Sequence, residues 1–214
     1  MHRLILASAT FRQSADNPAA TQSKADPDNR LLWRFNRRRL EAEVIRDGVL
    51  LVSGRLNPER GGPSVFPPLP QELSDLAKAV PIGGIQWEPN EREADARRRS
   101  VYIFQRRSLP VPIMASLDAT VFNESCERRS ITTTPLQALS MMNGDLINEE
   151  SVHLAARVRN GAGEDRQAQI SRLFEIVLNR PPEAEEMERF YKFSGSLEAL
   201  CRVALNASEL FYLE

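Results

Sequence analysis

TPLQALSMMNGDLINEESVHLAARVRNGAGEDRQAQISRLFEIVL, running from Thr134 to Leu178, is the stretch that decides the fold. It opens on threonine, then proline, with glutamine three positions after the threonine. That order supplies a helix N-cap acceptor, a first helical residue that needs no N–H partner, and a side chain able to reach back to the cap. The reading is a helix from Pro135 to about Met142, ended by Asn143 and Gly144. Beyond it, apolar residues return at three- and four-residue steps over Asn148 to Val158 and again over Arg166 to Leu178, the pattern of amphipathic helices.

The same spacing continues through Glu185 to Phe193 and Leu197 to Leu205, so residues 134–214 read as a C-terminal helical bundle. Upstream, Leu31, Leu32, Phe35, Leu40, Val44, Ile45, Val49 and Val52 recur at helical steps, which predicts one long helical region from Asp28 to about Ser53. Gly54, Asn57 and Pro58 stop it. Met1 to Arg12 reads as an uncapped helix and Asn17 to Pro27 as a polar loop. Prolines crowd residues 61–90, marking a mobile or loop-rich insertion over about 56–97, ordered or not, rather than core, with one short helix at Gln71 to Ala79. SVYIFQ, Ser100 to Gln105, is β-branched and aromatic and predicts a strand, with Ile85 to Trp87 as its partner. The expected architecture is mainly α: an irregular helical bundle in one domain over 1–214, with a long Pro/Gly-rich loop and one short strand or hairpin around 85–105.

At 214 residues and 42% hydrophobic content the chain can bury a sizeable core. Lys and Arg number 28 against 29 Asp and Glu, a net charge of -1, which argues against a duplex nucleic-acid binder. No apolar run approaches the roughly 20 residues of a membrane span. Met1 to Leu6 lacks the form of an export signal, so the literal chain reads as cytoplasmic.

Against that neutral total the arginines cluster: Arg37, Arg38 and Arg39, then Arg97, Arg98, Arg99, Arg106 and Arg107, then Arg128 and Arg129. Clusters this dense need local carboxylates or an anionic partner. On a helix, Arg39 pairs with Glu43 at i,i+4 and the first cluster neutralises itself in part. Around the expected strand, Arg99, Arg106 and Arg107 could close on Asp118 or Glu127 in a buried network, or could open onto an anionic ligand together with Arg128 and Arg129. Asp118, among apolar neighbours after two prolines, needs a partner to remain ionised and is the candidate acid or base.

Other chemistry has little support. Cys126 and Cys201 form no CxxC or CxxCH and read as two core thiols. His2 and His153 have no ligand at metal-binding spacing, Met141 and Met142 read as core, and Ser8, Ser14 and Ser130 lack a nucleophile elbow. Gly61-Gly62 and Gly83-Gly84 lack the strand-to-helix frame of a phosphate cradle. The residues predict no cofactor and no metal.

Six segments together resemble one family: HRLILASATFRQS (2–14), DPDNRLLWRFNRRRLEAEVIRDGVLLVSGRL (26–56), RRSVYIFQRRSLPVPIMASLDA (98–119), SCERRSITTTPLQALSMMNGDLI (125–147), LFEIVLNRPPEAEE (173–186) and LCRVALNASELFYL (200–213). They are similar to the planctomycete domain of unknown function DUF1553, a C-terminal module of large proteins that often also carry a cytochrome c domain. The resemblance implies a helical module whose partners are companion domains of the parent protein, the cytochrome c module among them, and whose full-length relatives are exported to the periplasm or cell surface. It implies no reaction. In that family the segment like His2 to Ile5 lies well inside the domain, so the chain is expected to be N-terminally truncated. Where the family often has Thr-Pro, Glu183-Ala184 stands here, and a weaker helix start is expected, at a cost of about 1 kcal/mol. Two functions remain open: a noncatalytic structural or interaction module, or a domain binding or processing an anionic ligand such as an acidic polysaccharide through Arg99, Arg106, Arg107, Asp118, Arg128 and Arg129.

Overall fold

The structure, a computed structural model, describes residues 1–16, 20–79, 87–120 and 125–213. It is 53% helical, with one two-stranded antiparallel pairing among the described residues. This is the mainly α class that the helical periodicity predicts. The chain divides into two compact units, Met1–Leu40 with Phe211–Glu214, and Glu41–Leu210.

In the first unit, helix α1 (His2–Leu6) buries none of its residues, and α2 (Ala20–Ala25) forms where the sequence predicts loop. Strand β1 (Arg38–Arg39) pairs with β2 (Tyr212–Leu213), Arg38 opposite Leu213 and Arg39 opposite Tyr212. The helix expected from Asp28 does not form here. The Asp26 carboxylate accepts the N–H groups of Arg30 and Leu31 at 2.9 and 2.8 Å, and Asn29 and Leu32 are left-handed, both at φ 53°. The amide of Asn29 then spans to the Arg34 carbonyl at 2.7 Å and to Asn36 at 2.8 Å. Side-chain bonds to local groups outcompete the i→i−4 ladder, as Asp and Asn do wherever geometry allows.

In the second unit, α3 (Ala42–Ser53), α8 (Asp145–Ala162), α9 (Arg166–Leu178) and α11 (Leu197–Leu205) enclose the main core. Val49, Leu50, Ile147, Leu154, Val158, Ile170, Leu173, Leu200 and Leu205 are buried there. Burying each such side chain contributes about 1.5–3 kcal/mol. The ends are defined chemically. Gly54 closes α3 at φ 83°, Asp165 caps α9 by accepting from Ala168 at 2.9 Å, and Ser196 caps α11 by accepting from Ala199 at 3.2 Å. Helix α10 (Ala184–Lys192) starts better than expected, because the Glu186 carboxylate accepts the Glu183 N–H at 2.8 Å.

A second cluster lies within the proline-rich insertion, where the sequence predicts loop rather than core. Helix α4 (Gln71–Ala79) contributes Ala77, which packs with buried Val65, Trp87, Ile103 and Leu109. Phe66 sits edge-on to Trp87 at 5.4 Å and beside Phe104 at 5.1 Å, and Trp87 donates its indole N–H to the Pro67 carbonyl at 3.0 Å. The insertion also holds α5 (Glu93–Ala96).

The predicted strand at Ser100 to Gln105 is a correction: Ser100–Tyr102 forms a 3-10 turn. Asp47 of α3 accepts both the N–H and the hydroxyl of Ser100 at 2.7 Å, which winds the segment inward. Among the described residues Ile103 instead forms an isolated parallel bridge with Val65, not its expected partner. Of its expected partner, 85–86 lie outside the described residues, as do Gly83-Gly84. Helices α6 (Pro112–Ser116), α7 (Pro135–Asn143) and the short α12 (Ser208–Phe211) complete the set. The α7 cap forms as read, with Gln137 N–H donating to Thr134 Oγ1 at 3.3 Å and Thr134 N–H to Gln137 Oε1 at 3.0 Å. At the α7–α8 corner any residue larger than Gly144 would drive its Cβ into the Ser140 carbonyl. No helix is long and apolar enough to cross a membrane among the described residues.

Candidate functional site

Arg46 lies on the inward stripe of α3, between Ala42 and Val49. It is buried and donates to the carbonyls of Ala96 at 2.8 Å and Arg98 at 3.0 Å, and to Ser100 Oγ at 3.2 Å, with Asp47 3.6 Å away. Burial lowers its pKa, and the nearby Asp47 and Glu150 carboxylates oppose that shift. Arg98 is equally enclosed. It donates to the carbonyls of Pro63 at 3.2 Å, Glu59 at 3.3 Å and Gly61, and its guanidinium stacks 4.1 Å over the Tyr102 ring. These arginines act as internal rivets, satisfying carbonyls that regular secondary structure leaves unpaired.

Beside them lies a denser charge network. Arg55 donates to Glu93 at 2.5 Å and to Glu149 at 3.0 Å; Arg97 donates to Glu149 at 2.6 Å and also pairs with Glu93. Glu150, 1% exposed, sits under both guanidiniums, 3.9 Å from Arg55 Nε and 3.8 Å from Arg97 Nε. Burial pushes the Glu150 carboxyl up from its ordinary range, against the pull of the Ser53 hydroxyl and Arg55.

Two concavities adjoin this network and share Pro68, Leu146 and Glu149. The larger, about 570 Å³, runs between the Pro67–Pro70 segment, α6, α7 and the start of α8. Its walls are mostly apolar, with Leu69, Ile113, Leu136, Leu139 and Leu146 prominent, and Arg46, Asp145 and Glu149 supply charge. The smaller, about 230 Å³, lies between Leu50, Pro68, Ala96 and Leu146, with Glu93, Glu149, Glu150 and Arg97 in its wall.

The six residues singled out in the sequence occupy separate places. Arg99, exposed, lies 3.7 Å from Asp47; Arg106 donates to the Ala77 carbonyl of α4 at 3.3 Å; Arg107 and Arg128 are on the surface. Arg129 binds Glu43 at 2.7 Å and Glu41 at 3.2 Å, and the Glu43 hydrogen bond raises its pKa. Asp118, left-handed at φ 60°, accepts the Thr132 N–H at 2.7 Å, the Thr132 hydroxyl at 3.0 Å and Gln137 Nε2 at 3.2 Å. It ties the loop before α7 to that helix's cap. None of the six lines either concavity.

Sequence reading overlooked Arg46, Arg55, Glu149 and Glu150. A signal was present for two of them: Arg46 interrupts the apolar stripe of α3, and Glu150 falls three after Ile147 and four before Leu154 on the stripe of α8. A charged residue at a core position needs an internal partner or a ligand. Cys201 is in the core, its thiol pushed up to about 12 by burial, whereas Cys126 is exposed, correcting the reading of two core thiols; both are free. No group of three or more His, Cys, Asp or Glu able to hold a metal ion occurs among the described residues.

A model of the family PSD1, "Protein of unknown function (DUF1553)", matches residues 1–194. No curated protein and no solved structure matches the chain.

Proposed function

Since the chain belongs to the DUF1553 family of proteins of unknown function, we propose that it is a noncatalytic interaction module of a larger, exported, cytochrome c-linked protein. The observation that carries this reading is the apolar groove of about 570 Å³ beside α7, whose Leu136 and Leu139 stay 70% and 55% exposed at its rim. A large apolar surface left open on a well-packed domain favours a macromolecular partner. The resemblance supplies the partner: the companion domains of the parent protein, the cytochrome c module first among them. Arg46 itself lines the groove, and its bonds to Ala96, Arg98 and Ser100 hold it in place there.

Calorimetric titration of the chain with the separately expressed companion domains of a full-length relative tests the proposal. Saturable binding, weakened about tenfold or more by Leu139→Glu, is the expected result. Absence of binding, combined with a melting-temperature rise in sulfated oligosaccharide that Arg107→Ala and Arg128→Ala abolish, would replace it with the anion-binding reading.

A further inference from the structure

The walls of the larger groove restrict what can lie in it. Leu136, Leu139, Ser140 and Asn143 all line it and stand at i, i+3, i+4 and i+7 of α7, so one stripe of that helix forms a side of the groove. The stripe spans two turns, about 10 Å. Pro112, Ile113 and Ser116 of α6 and the segment from Pro67 to Pro70 form further sides.

These walls offer an extended chain little to pair with. Pro67, Pro68, Pro70 and Pro112 have no backbone N–H, which leaves Leu69 as the one amide of the 67–70 run. Beyond its first turn, the N–H groups of α7 are spent inside the helix. A segment entering the groove gives up water along its backbone and must therefore bring its own hydrogen bonds. An α-helix does so. Its anchor side chains at i, i+3 or i+4, and i+7 also repeat over the two turns that the α7 stripe presents.

Charge adds a direction. From Leu136 to Asn143 the α7 side passes from leucine to serine and asparagine, and the start of α8 then adds Asp145 and Glu149. Arg46, the other charged residue of the lining, is buried and donates to the carbonyls of Ala96 and Arg98. Glu149 already faces Arg55 and Arg97. Asp145 is exposed and has no ion pair among the described residues. One end of an otherwise apolar groove is thus acidic, which favours a cation there and disfavours a carboxylate.

We propose that the segment docking in this groove is an amphipathic α-helix, its apolar stripe laid between α6, α7 and the Pro67–Pro70 segment and a lysine or arginine at the end beside Asp145. The proposal rests on the reading of the groove as a docking surface and adds the chemistry of what docks.

The test is calorimetric titration of the full 214-residue chain with three acetylated and amidated synthetic peptides of about 14 residues, roughly four turns each. The first carries leucines at i, i+3, i+4 and i+7, alanine and glutamine elsewhere, and a pair of lysines at one end. The second has glutamates in place of the lysines, and the third has proline in place of a central alanine, which breaks the helix. The lysine peptide should saturate with a Kd on the order of 100 μM. The other two should bind at least about tenfold more weakly. Leu139→Gln, at a rim position 55% exposed where folding is not at stake, should weaken the lysine peptide about tenfold. Asp145→Asn should bring the lysine and glutamate peptides about threefold closer in affinity. No saturable binding of the lysine peptide, equal binding of the glutamate or proline peptide, or unchanged affinity in Leu139→Gln overturns the proposal. Companion domains that bind while the lysine peptide does not leave the docking reading standing and remove the helix from it. A lysine peptide that binds where the companion domains do not keeps the helix site and removes the cytochrome c-linked partner.

Discussion

Helices α1 and α8 both carry runs of apolar residues at helical spacing, yet they end in opposite states. Leu4, Ile5 and Leu6 of α1 are 76%, 50% and 55% exposed, whereas Ile147, Leu154, Ala155 and Val158 of α8 are fully buried. Helix α8 meets α3, α9 and α11 along its length, and α1 buries none of its side chains. The difference is not in periodicity. An apolar stripe stabilises a helix only where other elements remove it from water, because short helices are marginal by themselves.

The strongest way to break this comparison is a matched pair of truncations. Leu154→Ala should destabilise the second unit by about 2–5 kcal/mol, the lost transfer energy plus the cavity it leaves. Leu4→Ala should stay within about 0.5 kcal/mol. Urea unfolding followed by helical circular dichroism reads both. Similar losses at the two sites would mean that α1 is packed in solution, and the contrast would fail.

The two arginine environments sharpen the same lesson at smaller amplitude. Arg46→Met removes donors from the carbonyls of Ala96 and Arg98 while keeping much of the volume, and should cost about 2–3 kcal/mol through the groups left unsatisfied. Arg99→Ala, whose side chain is 57% exposed opposite Asp47, should cost less than about 0.5 kcal/mol. Amide exchange at residues 96–102 should accelerate in the first variant alone. Equal melts would show that the segment is held by its neighbours' packing and not by Arg46.

How much was legible follows the same division. Helices α9 and α11 have the bounds that periodicity predicts, α4 fills the stretch that the flanking prolines leave free for a helix, and the α7 cap forms from the residues that signal it. In each case the deciding information is local. The helix expected from Asp28 failed because Asp26 and Asn29 bind nearby backbone groups, and an apolar count does not register that competition. The strand expected at Ser100 failed because Asp47, far back in the chain, captures it. Of the charge network, Arg46 and Glu150 were visible as interruptions of a core stripe, whereas Arg55 and Glu149 lie outside such a stripe and their meeting is a product of tertiary packing.

The smallest effect separates two carboxylates of the second unit whose ionisation shifts in opposite directions. Glu186 accepts both terminal nitrogens of Arg180, at 2.7 and 2.8 Å, and the Glu183 N–H at 2.8 Å. The Arg180 hydrogen bonds hold its pKa down to about 2, from an ordinary value of 4.5. Its folded form therefore keeps the charge after the unfolded chain has taken up a proton. The resulting stability is present above pH 4.5 and is lost as pH falls from 4.5 to about 2. Both partners are about one-third exposed, so solvent screening limits the contribution to about 1 kcal/mol. Glu150 carries the opposite sign: burial raises its pKa, so stability falls as pH rises through the window between its ordinary and its raised value. Glu186→Gln should therefore be less stable than the unaltered chain at neutral pH, with the two curves converging as acid protonates the native carboxylate. A gap that stays constant to pH 2 would assign the effect to altered packing at the start of α10, and the electrostatic account of that helix end would be wrong.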